Sequence, residues 1–322
     1  TGAMFVMALS AYYMLRRQDV SFAKSSFRLA AVFGTVAALL TIHMGDESGY
    51  LVTRDQPTKI ATMEAIWDTH EAPAPMTLFA LPDEEARTNH AQIDFPWVMG
   101  LIGTRSLSTE IPGINQLEAQ ARERIENGVK AVTTLEALRK DPKNAELREA
   151  FTAVKDDLGY GLLLKRYTED VSAATPEMIA QAAADTIPGV APMFWSFRLM
   201  VGCGLAMALV FVLGAVYSVK NVITEKRTLL KLTLLALPLP WLACEAGWFV
   251  AEYGRQPWTI YEILPVDLSV SSLSTGDLIG SLAGFAILYT ALLIVEYWLM
   301  VRYAKLGPSS LGTGRYFFER KA

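Results

Sequence analysis

Long apolar runs separated by charged stretches dominate the pattern of the chain. Four of them are long enough to cross a bilayer as helices, because about 20 apolar residues span its hydrocarbon core; they cover residues 27–44, 193–219, 229–250 and 278–301. Pro238 and Pro240 predict a kink in the third. A fifth run, residues 2–15, is shorter and predicts the second half of a membrane-spanning helix. We therefore expect the sequence to be part of a longer protein.

Basic residues mark one side of the predicted bundle. They cluster in segments 16–28, 220–231 and 305–321, which the alternation of the helices brings to the same side. By the positive-inside rule this side is cytoplasmic. The sequence therefore predicts four parts, of which the second lies outside: a truncated and a complete membrane helix in 1–43, an extracytoplasmic domain in 44–192, three membrane helices in 193–304, and a cytoplasmic tail in 305–322.

The large outer segment has helical periodicity of its own. Apolar residues recur every three or four positions from Leu117 to Leu138 and again from Leu147 to Leu158, which predicts two amphipathic helices. Thr175 followed by Pro176 is typical of a helix start. Residues 45–113 are richer in proline, glycine and polar clusters, and we expect them to be irregular. The predicted fold class is all-α, an integral membrane helical bundle with a large, mostly helical extracytoplasmic loop domain.

Composition argues against several classes of protein. Apolar residues make up 52% of the 322, above the roughly 45–50% of soluble domains. Residues 44–193 carry 24 acidic and 14 basic side chains, so the outer block is acidic and no stretch is basic enough to indicate nucleic-acid binding. Cys203 and Cys244 both lie in apolar runs and predict no disulfide framework. The chain has 3 histidines and no HExxH pattern, which argues against a zinc enzyme.

The most informative segment closes the third apolar run. Glu245, Trp248 and Glu252 share one helical face at about 100° per residue, and Arg255 follows within a turn. Each ionisable group at membrane depth costs roughly 2.5–3.5 kcal/mol by insertion scales, so such groups usually face a protein interior, a cofactor or a proton path. The alternatives are partnered charges at a helix end, or an arginine that snorkels to the interface. Two carboxylates on one stripe favour a functional site.

Several long motifs resemble subunit I of cytochrome bd-type quinol oxidases. They are GWFVAEYGRQPW at 247–258, GDESGY at 45–50, GYGLLLKRY at 159–167 and LGPSSLGTGRY at 306–316. The resemblance covers essentially the whole chain, and about four N-terminal helices of the family are missing from it. It implies two b haems and one haem d. The ligands of haem d belong to the missing part. It also implies ubiquinol or menaquinol and O₂ as substrates, a subunit II and a small single-helix subunit as candidate partners, and a multi-pass location in the bacterial inner membrane.

The resemblance also assigns roles to individual residues. Met200 matches the axial methionine of the low-spin haem b, whose histidine partner precedes this sequence, and Glu252 matches the carboxylate ligand of the high-spin haem b. Arg198 and Arg255 match arginines near haem propionates, where a guanidinium can pair with a carboxylate. Trp248 matches an indole among the haems.

In the outer loop, Lys59 and Glu64 match the quinol-site residues; without the resemblance both are typical of solvated surface charges. A carboxylate near a quinol hydroxyl can act as a base, and a lysine can favour a developing anionic oxygen. Asp46 and Glu47 fit either a proton exit or an acidic helix end. Trp195, Trp241 and Trp258 are candidates for the aromatic belt at the membrane interface.

The implied function is a respiratory terminal oxidase subunit that oxidises quinol at the outer face. Electrons pass through the b haems to haem d, where oxygen is reduced to water with cytoplasmic protons, so that the reaction is electrogenic. We expect the fragment alone to be inactive. The alternative is a polytopic transporter or receptor in which Glu245, Glu252 and Arg255 form a proton or substrate site. No inverted repeat supports that alternative.

Overall fold

In the computed structural model, which describes residues 1–307, the chain is mostly helical. Its helices are α1 (Gly2–Arg16), α2 (Val20–Asp55), α3 (Pro57–Met63), α4 (Ile114–Lys140), α5 (Ala145–Val154), α6 (Leu158–Leu162), α7 (Pro176–Ala184), α8 (Val190–Val219), α9 (Arg227–Leu235), α10 (Leu239–Tyr253) and α11 (Thr275–Leu306). Two antiparallel hairpins pair β1 (Met76–Asp83) with β2 (Thr88–Phe95) and β3 (Trp258–Ile260) with β4 (Leu264–Pro265).

Four helical segments of the described residues are long and apolar enough to cross a membrane. They are Val20–Asp55, Val190–Val219, Arg227–Tyr253 and Thr275–Leu306. Each contains one of the four predicted apolar runs, and the third is interrupted between α9 and α10, next to Pro238. The prediction of an all-α membrane bundle is confirmed. The predicted tail and the last family motif lie mostly in 308–322, outside the described residues.

The chain divides into two compact units. One comprises Thr1–Ala38, Ala206–Pro240 and the described residues from Ser271 onward. Its core is formed mainly by methionines of α1, by alanines and Phe27 of α2, and by Val210, Phe211, Leu229 and Leu230. Lipid supplies no hydrophobic drive for the association of membrane helices, so their packing depends on close contact. Small residues allow that close approach.

The other unit comprises Leu39–Leu205 and Trp241–Val270 and contains all of the predicted site residues. It has two cores. The first joins α3 and the segment after it to the start of α8, with Ile60, Ile66 and Phe194 almost fully buried. The second packs α4, α6 and α7 around Trp258. The predicted helices of this segment are confirmed as α4, α5 and α7, and the Thr175 hydroxyl caps α7 by accepting a hydrogen bond from the Met178 amide.

Three local expectations are corrected. The helix predicted to end near residue 43 runs to Asp55, because the first proline that interrupts it is Pro57. Asp46 and Glu47 therefore lie inside α2, not at its end, and both pair with Arg105, at 3.2 and 2.7 Å. Trp258 is buried against Tyr160, with ring centroids 5.1 Å apart, and so does not belong to an interfacial belt.

The segment 45–113 is more ordered than predicted. It contains the end of α2, helix α3, the β1–β2 hairpin and a π-helical turn at Gly100–Thr104. The hairpin is tied to its surroundings by side-chain contacts, among them the Arg87–Glu118 ion pair of 2.7 Å to α4. It also lies beside α8, where the Phe79 and Trp195 rings meet edge to face. These contacts bring the hairpin next to the predicted quinol-site residues.

Candidate functional site

Helix α3 and the residue that caps its end carry the two predicted quinol-site residues. Pro57 occupies the first turn, where a missing amide hydrogen costs nothing, and Lys59 follows within the same turn. Glu64 is the residue at which the helix ends. Both side chains are buried, with 8% of Lys59 and 3% of Glu64 exposed. The expectation of solvated surface charges, drawn from residue chemistry alone, is therefore wrong for both.

Glu64 is paired with Arg198 of α8. The Arg198 Nη2 donates to Glu64 Oε2 at 2.7 Å, and the same guanidinium donates to the carbonyl oxygens of Met63 and Thr77. Its Cζ lies 3.6 Å from the centroid of the Phe194 ring, one turn earlier on α8. The guanidinium is thus held by oxygens from α3 and β1 and by an aromatic face.

The environment of Glu64 favours its protonated form. Burial raises the pKa of the carboxyl above its ordinary value, and the Arg198 cation opposes that effect by charge and by hydrogen bonding. The ion pair with Arg198 stabilises the ionised carboxylate, which is the form that can accept a proton. Its raised pKa makes it a stronger base than an exposed glutamate.

Lys59 lies across the C-terminal end of α10. Its Nζ donates to the Ala251 carbonyl at 3.2 Å, where the end of a helix favours a cation. A Cβ at Gly254 would lie 2.5 Å from Met193 Cε, 2.6 Å from the Val250 carbonyl oxygen and 3.1 Å from Lys59 Cγ, so glycine lets the lysine stem and its neighbours pack closely. Burial lowers the pKa of the Lys59 ammonium, the Arg255 cation adds to this, and Glu252 opposes it. Lys59 is therefore electrostatically coupled to the charged end of α10.

Glu252 and Arg255 form an ion pair at that end. Arg255 Nη2 lies 2.5 Å from Glu252 Oε2, and 46% of the Glu252 side chain remains exposed. The Arg255 Nη1 reaches the Thr259 carbonyl at 3.4 Å. Its Nε is buried and has no hydrogen-bond partner among the described residues. An additional anionic ligand would satisfy this buried donor by accepting a hydrogen bond from the Nε, next to the half-exposed Glu252 carboxylate.

Met200 of α8 packs directly on α10. A Cβ at Gly247 would lie 2.9 Å from the Met200 Sδ, so any larger residue there would displace the thioether from its present position. The adjacent Trp248 is 66% exposed, on the face that it shares with Glu245 and Glu252. The predicted stripe of two carboxylates and an indole is thus an open surface of this chain.

These residues fit a haem group in their chemistry. A methionine thioether is a known axial ligand of haem iron. The half-exposed Glu252 offers a carboxylate oxygen, and the unpartnered Nε of Arg255 suits a propionate. The described residues contain no group of three or more His, Cys, Asp and Glu side chains that could hold a metal ion.

The seven predicted residues form three groups within one unit. Glu64 pairs with Arg198, and the charges of Glu252 and Arg255 act on Lys59. Met200 packs on Gly247, the residue before Trp248. Sequence reasoning missed the residues that support these contacts: the carbonyls of Met63 and Thr77, and the two glycines. The glycines stand inside the longest family motif, and this was the only signal that could have identified them.

The fold and the site define a polytopic membrane protein in which the ends of α3, α8 and α10 carry a partly buried charged site within one unit. The family model for cytochrome bd terminal oxidase subunit I matches residues 1–308, and the chain belongs to this family. This match favours the oxidase interpretation over a transporter or receptor.

Two relatives illustrate the similarity. Cytochrome bd-II ubiquinol oxidase subunit 1 of Escherichia coli (strain K12) is 42% identical over 311 residues, which cover 97% of this chain and 60% of that protein. Cytochrome bd ubiquinol oxidase subunit 1 of Bacillus subtilis (strain 168) is 28% identical over 311 residues, covering 95% of this chain and 54% of that protein. The chain therefore spans little more than half the length of these relatives.

Proposed function

We propose that this chain belongs to a respiratory terminal oxidase in which it oxidises ubiquinol or menaquinol at the outer membrane face. In this proposal the oxidase is a quinol:oxygen oxidoreductase of the bacterial inner membrane, residues 44–192 face outward, and a subunit II is the partner. Two b haems and one haem d supply the one-electron carriers and the centre for the electrogenic reduction of O₂ to water. Family membership and the chemistry of the site support the proposal.

The observation that carries it is the buried ion pair of Glu64 and Arg198. Oxidation of a quinol releases two electrons and two protons, so the site needs a group that accepts a proton from a hydroxyl. The Glu64 carboxylate is such a group, since burial raises its pKa while Arg198 keeps the ionised form accessible. Arg198 is also two residues from Met200 on α8, so the base and the proposed haem ligand share one helix.

Lys59 has a complementary role. Its ammonium carries a charge in a place where 8% of the side chain is exposed, and its only hydrogen bond in the described residues is to the Ala251 carbonyl. The two remaining hydrogens can be donated to a quinol oxygen that becomes anionic as its proton leaves. We therefore assign proton acceptance to Glu64 and stabilisation of the oxygen to Lys59.

Met200, Glu252, Arg255 and Trp248 would hold the haem groups. In this assignment Met200 and Glu252 are iron ligands of the low-spin and high-spin haem b, and Arg255 pairs with a propionate through its unpartnered Nε. The guanidinium of Arg198 already donates to three oxygens of the chain. We therefore assign Arg198 primarily to Glu64, with a propionate as a further neighbour.

The test compares two electron donors in the purified oxidase that contains this chain. Glu64→Gln and Lys59→Met should lower quinol-driven oxygen consumption by at least about tenfold, because general acid–base groups contribute roughly 10²–10⁴-fold to rates. Oxygen consumption driven by an artificial donor that reduces the haems directly should be unchanged. Glu71→Gln and Lys143→Met, at exposed positions of the same domain, are the matched controls. Wild-type quinol kinetics in both test variants would overturn the assignment.

A further inference from the structure

The turn that follows Glu64 has a backbone conformation that its residue disfavours. The Ala65 amide donates to the Thr62 carbonyl at 3.3 Å and the Ile66 amide to the Ala61 carbonyl at 2.8 Å. This pair of bonds is the Schellman arrangement, which places the residue after the helix end in the left-handed region. Glycine usually occupies that position, but here Ala65 has φ 52°. The conformation is strained for alanine, so its surroundings must hold it in place.

Asn89 of strand β2 supplies that support. Its Nδ2 donates to the Ala65 carbonyl at 2.9 Å, and its Oδ1 accepts from the Trp67 indole nitrogen at 2.9 Å. One amide thus bridges two groups that flank Ile66, which is itself 1% exposed in the core. Gln92, three residues further along, accepts from the same Nδ2 at 3.0 Å and helps to orient it.

We infer that Asn89 is a positioning residue for Glu64, an inference that rests on the proposed function of that carboxylate. The direction in which Glu64 leaves the end of α3 depends on the left-handed turn at Ala65. Asn89 fixes the turn from outside the helix, and Arg198 fixes the carboxylate from the other side. The hairpin therefore contributes to the site through a side chain that acts on Glu64 by holding the turn at Ala65.

An asparagine is well suited to this role. It offers one donor to a carbonyl and one acceptor to an indole in a single planar group. An aspartate of the same shape would keep the acceptor but would direct an anionic oxygen at the Ala65 carbonyl. Asn89→Asp and Asn89→Ala should therefore both release the turn.

The experiment measures backbone hydrogen exchange in the purified oxidase, for the peptide that contains Ala65 and Ile66. Loss of two hydrogen bonds in Asn89→Ala should accelerate exchange of these amides by on the order of tenfold. His90→Ala is the matched control, because His90 is the next residue of the strand and its ring pairs instead with Asp83 at 3.2 Å. A second variant adds Ala65→Gly to Asn89→Ala, since glycine adopts a positive φ without strain.

The same variants are assayed with quinol and with an artificial donor. Asn89→Ala should lower kcat with quinol severalfold without changing turnover from the artificial donor, and Ala65→Gly should restore most of it. Equal exchange in Asn89→Ala and His90→Ala would overturn the inference, as would faster exchange with unchanged quinol turnover or the absence of rescue. Wild-type quinol turnover in both Glu64→Gln and Lys59→Met would instead overturn the proposed function, and the exchange result would still decide whether Asn89 holds the turn.

Discussion

The contact between Met200 and Gly247 gives a sharp test of the proposed axial ligand. A Cβ added at Gly247 would lie 2.9 Å from the Met200 Sδ and 3.6 Å from its Cγ. Heavy atoms in good contact are about 3.5–4.0 Å apart, so Gly247→Ala should displace the sulfur by roughly 0.6–1 Å. The Cγ contact is already ordinary, and the displacement therefore falls on the thioether.

The cost in stability should be small. Overpacking a core typically costs about 1–3 kcal/mol, and methionine is flexible enough to keep the cost at the lower end. Replacing a helical glycine by alanine recovers about 1 kcal/mol of helix propensity. The net change in folding free energy is thus close to zero, while the position of the sulfur changes by a large fraction of an ångström. A ligand to iron cannot tolerate such a displacement as easily as a core side chain can.

The assay is the reduced-minus-oxidised absorption spectrum of the purified oxidase, with total haem measured by pyridine haemochrome. We expect Gly247→Ala to weaken or shift the low-spin haem b band selectively. The control is Gly202→Ala, because a Cβ at Gly202, two residues after Met200, would meet no atom within 4 Å. An unaltered low-spin band in Gly247→Ala, with full haem content, would refute the proposal that the Met200 thioether is a ligand in this position.

Three further predictions follow from other contacts. Glu252→Ala should lose the high-spin haem b and Glu252→Gln should be intermediate, as measured by haem content; full occupancy in the alanine variant would reduce Glu252 to a partner of Arg255. Because burial raises the pKa of Glu64 and the ionised form is the base, quinol turnover should fall as pH decreases through a pKa above the ordinary glutamate range. Arg198→Gln should move this fall in turnover to higher pH, because the Arg198 cation lowers the pKa of Glu64. An unshifted pH profile would contradict the pairing of Glu64 with Arg198. Gly128→Ala should unfold the core formed by α4, α6 and α7, because its Cβ would run into the backbone of Gly161; normal thermal stability would exclude this close packing.

Helices were predictable from the sequence where one physical signal dominated. The apolar runs located the membrane-spanning segments, and the regular apolar spacing from Leu117 located α4. The β1–β2 hairpin was not predicted, because its register shifts between Thr77 and Phe79 and again between Phe79 and Leu81. These irregularities break the two-residue alternation by which a strand is recognised.

Lys59, Glu64, Arg198 and Met200 were predictable only through the resemblance to the family. Local pattern gives no reason to bury Glu64, because its partner Arg198 lies 134 residues away in the sequence. The support from Asn89 is equally invisible, since it depends on how a strand packs against the turn after α3. Long-range pairs of this kind follow from tertiary packing, which periodicity and propensity do not encode. The exposed stripe of Glu245, Trp248 and Glu252, by contrast, followed directly from helical geometry.

The central claim is that the charged and sulfur-containing residues of this chain hold haem for quinol oxidation. The dithionite-reduced absorption spectrum of the purified full-length oxidase, in wild type and in Met200→Leu, tests it most directly. We predict haem b and haem d bands in the wild type and selective loss of the low-spin haem b band in the variant, since the near-isosteric swap should cost under about 1.5 kcal/mol in packing. The absence of haem bands from the wild type, or an unchanged low-spin band in Met200→Leu, would contradict the account.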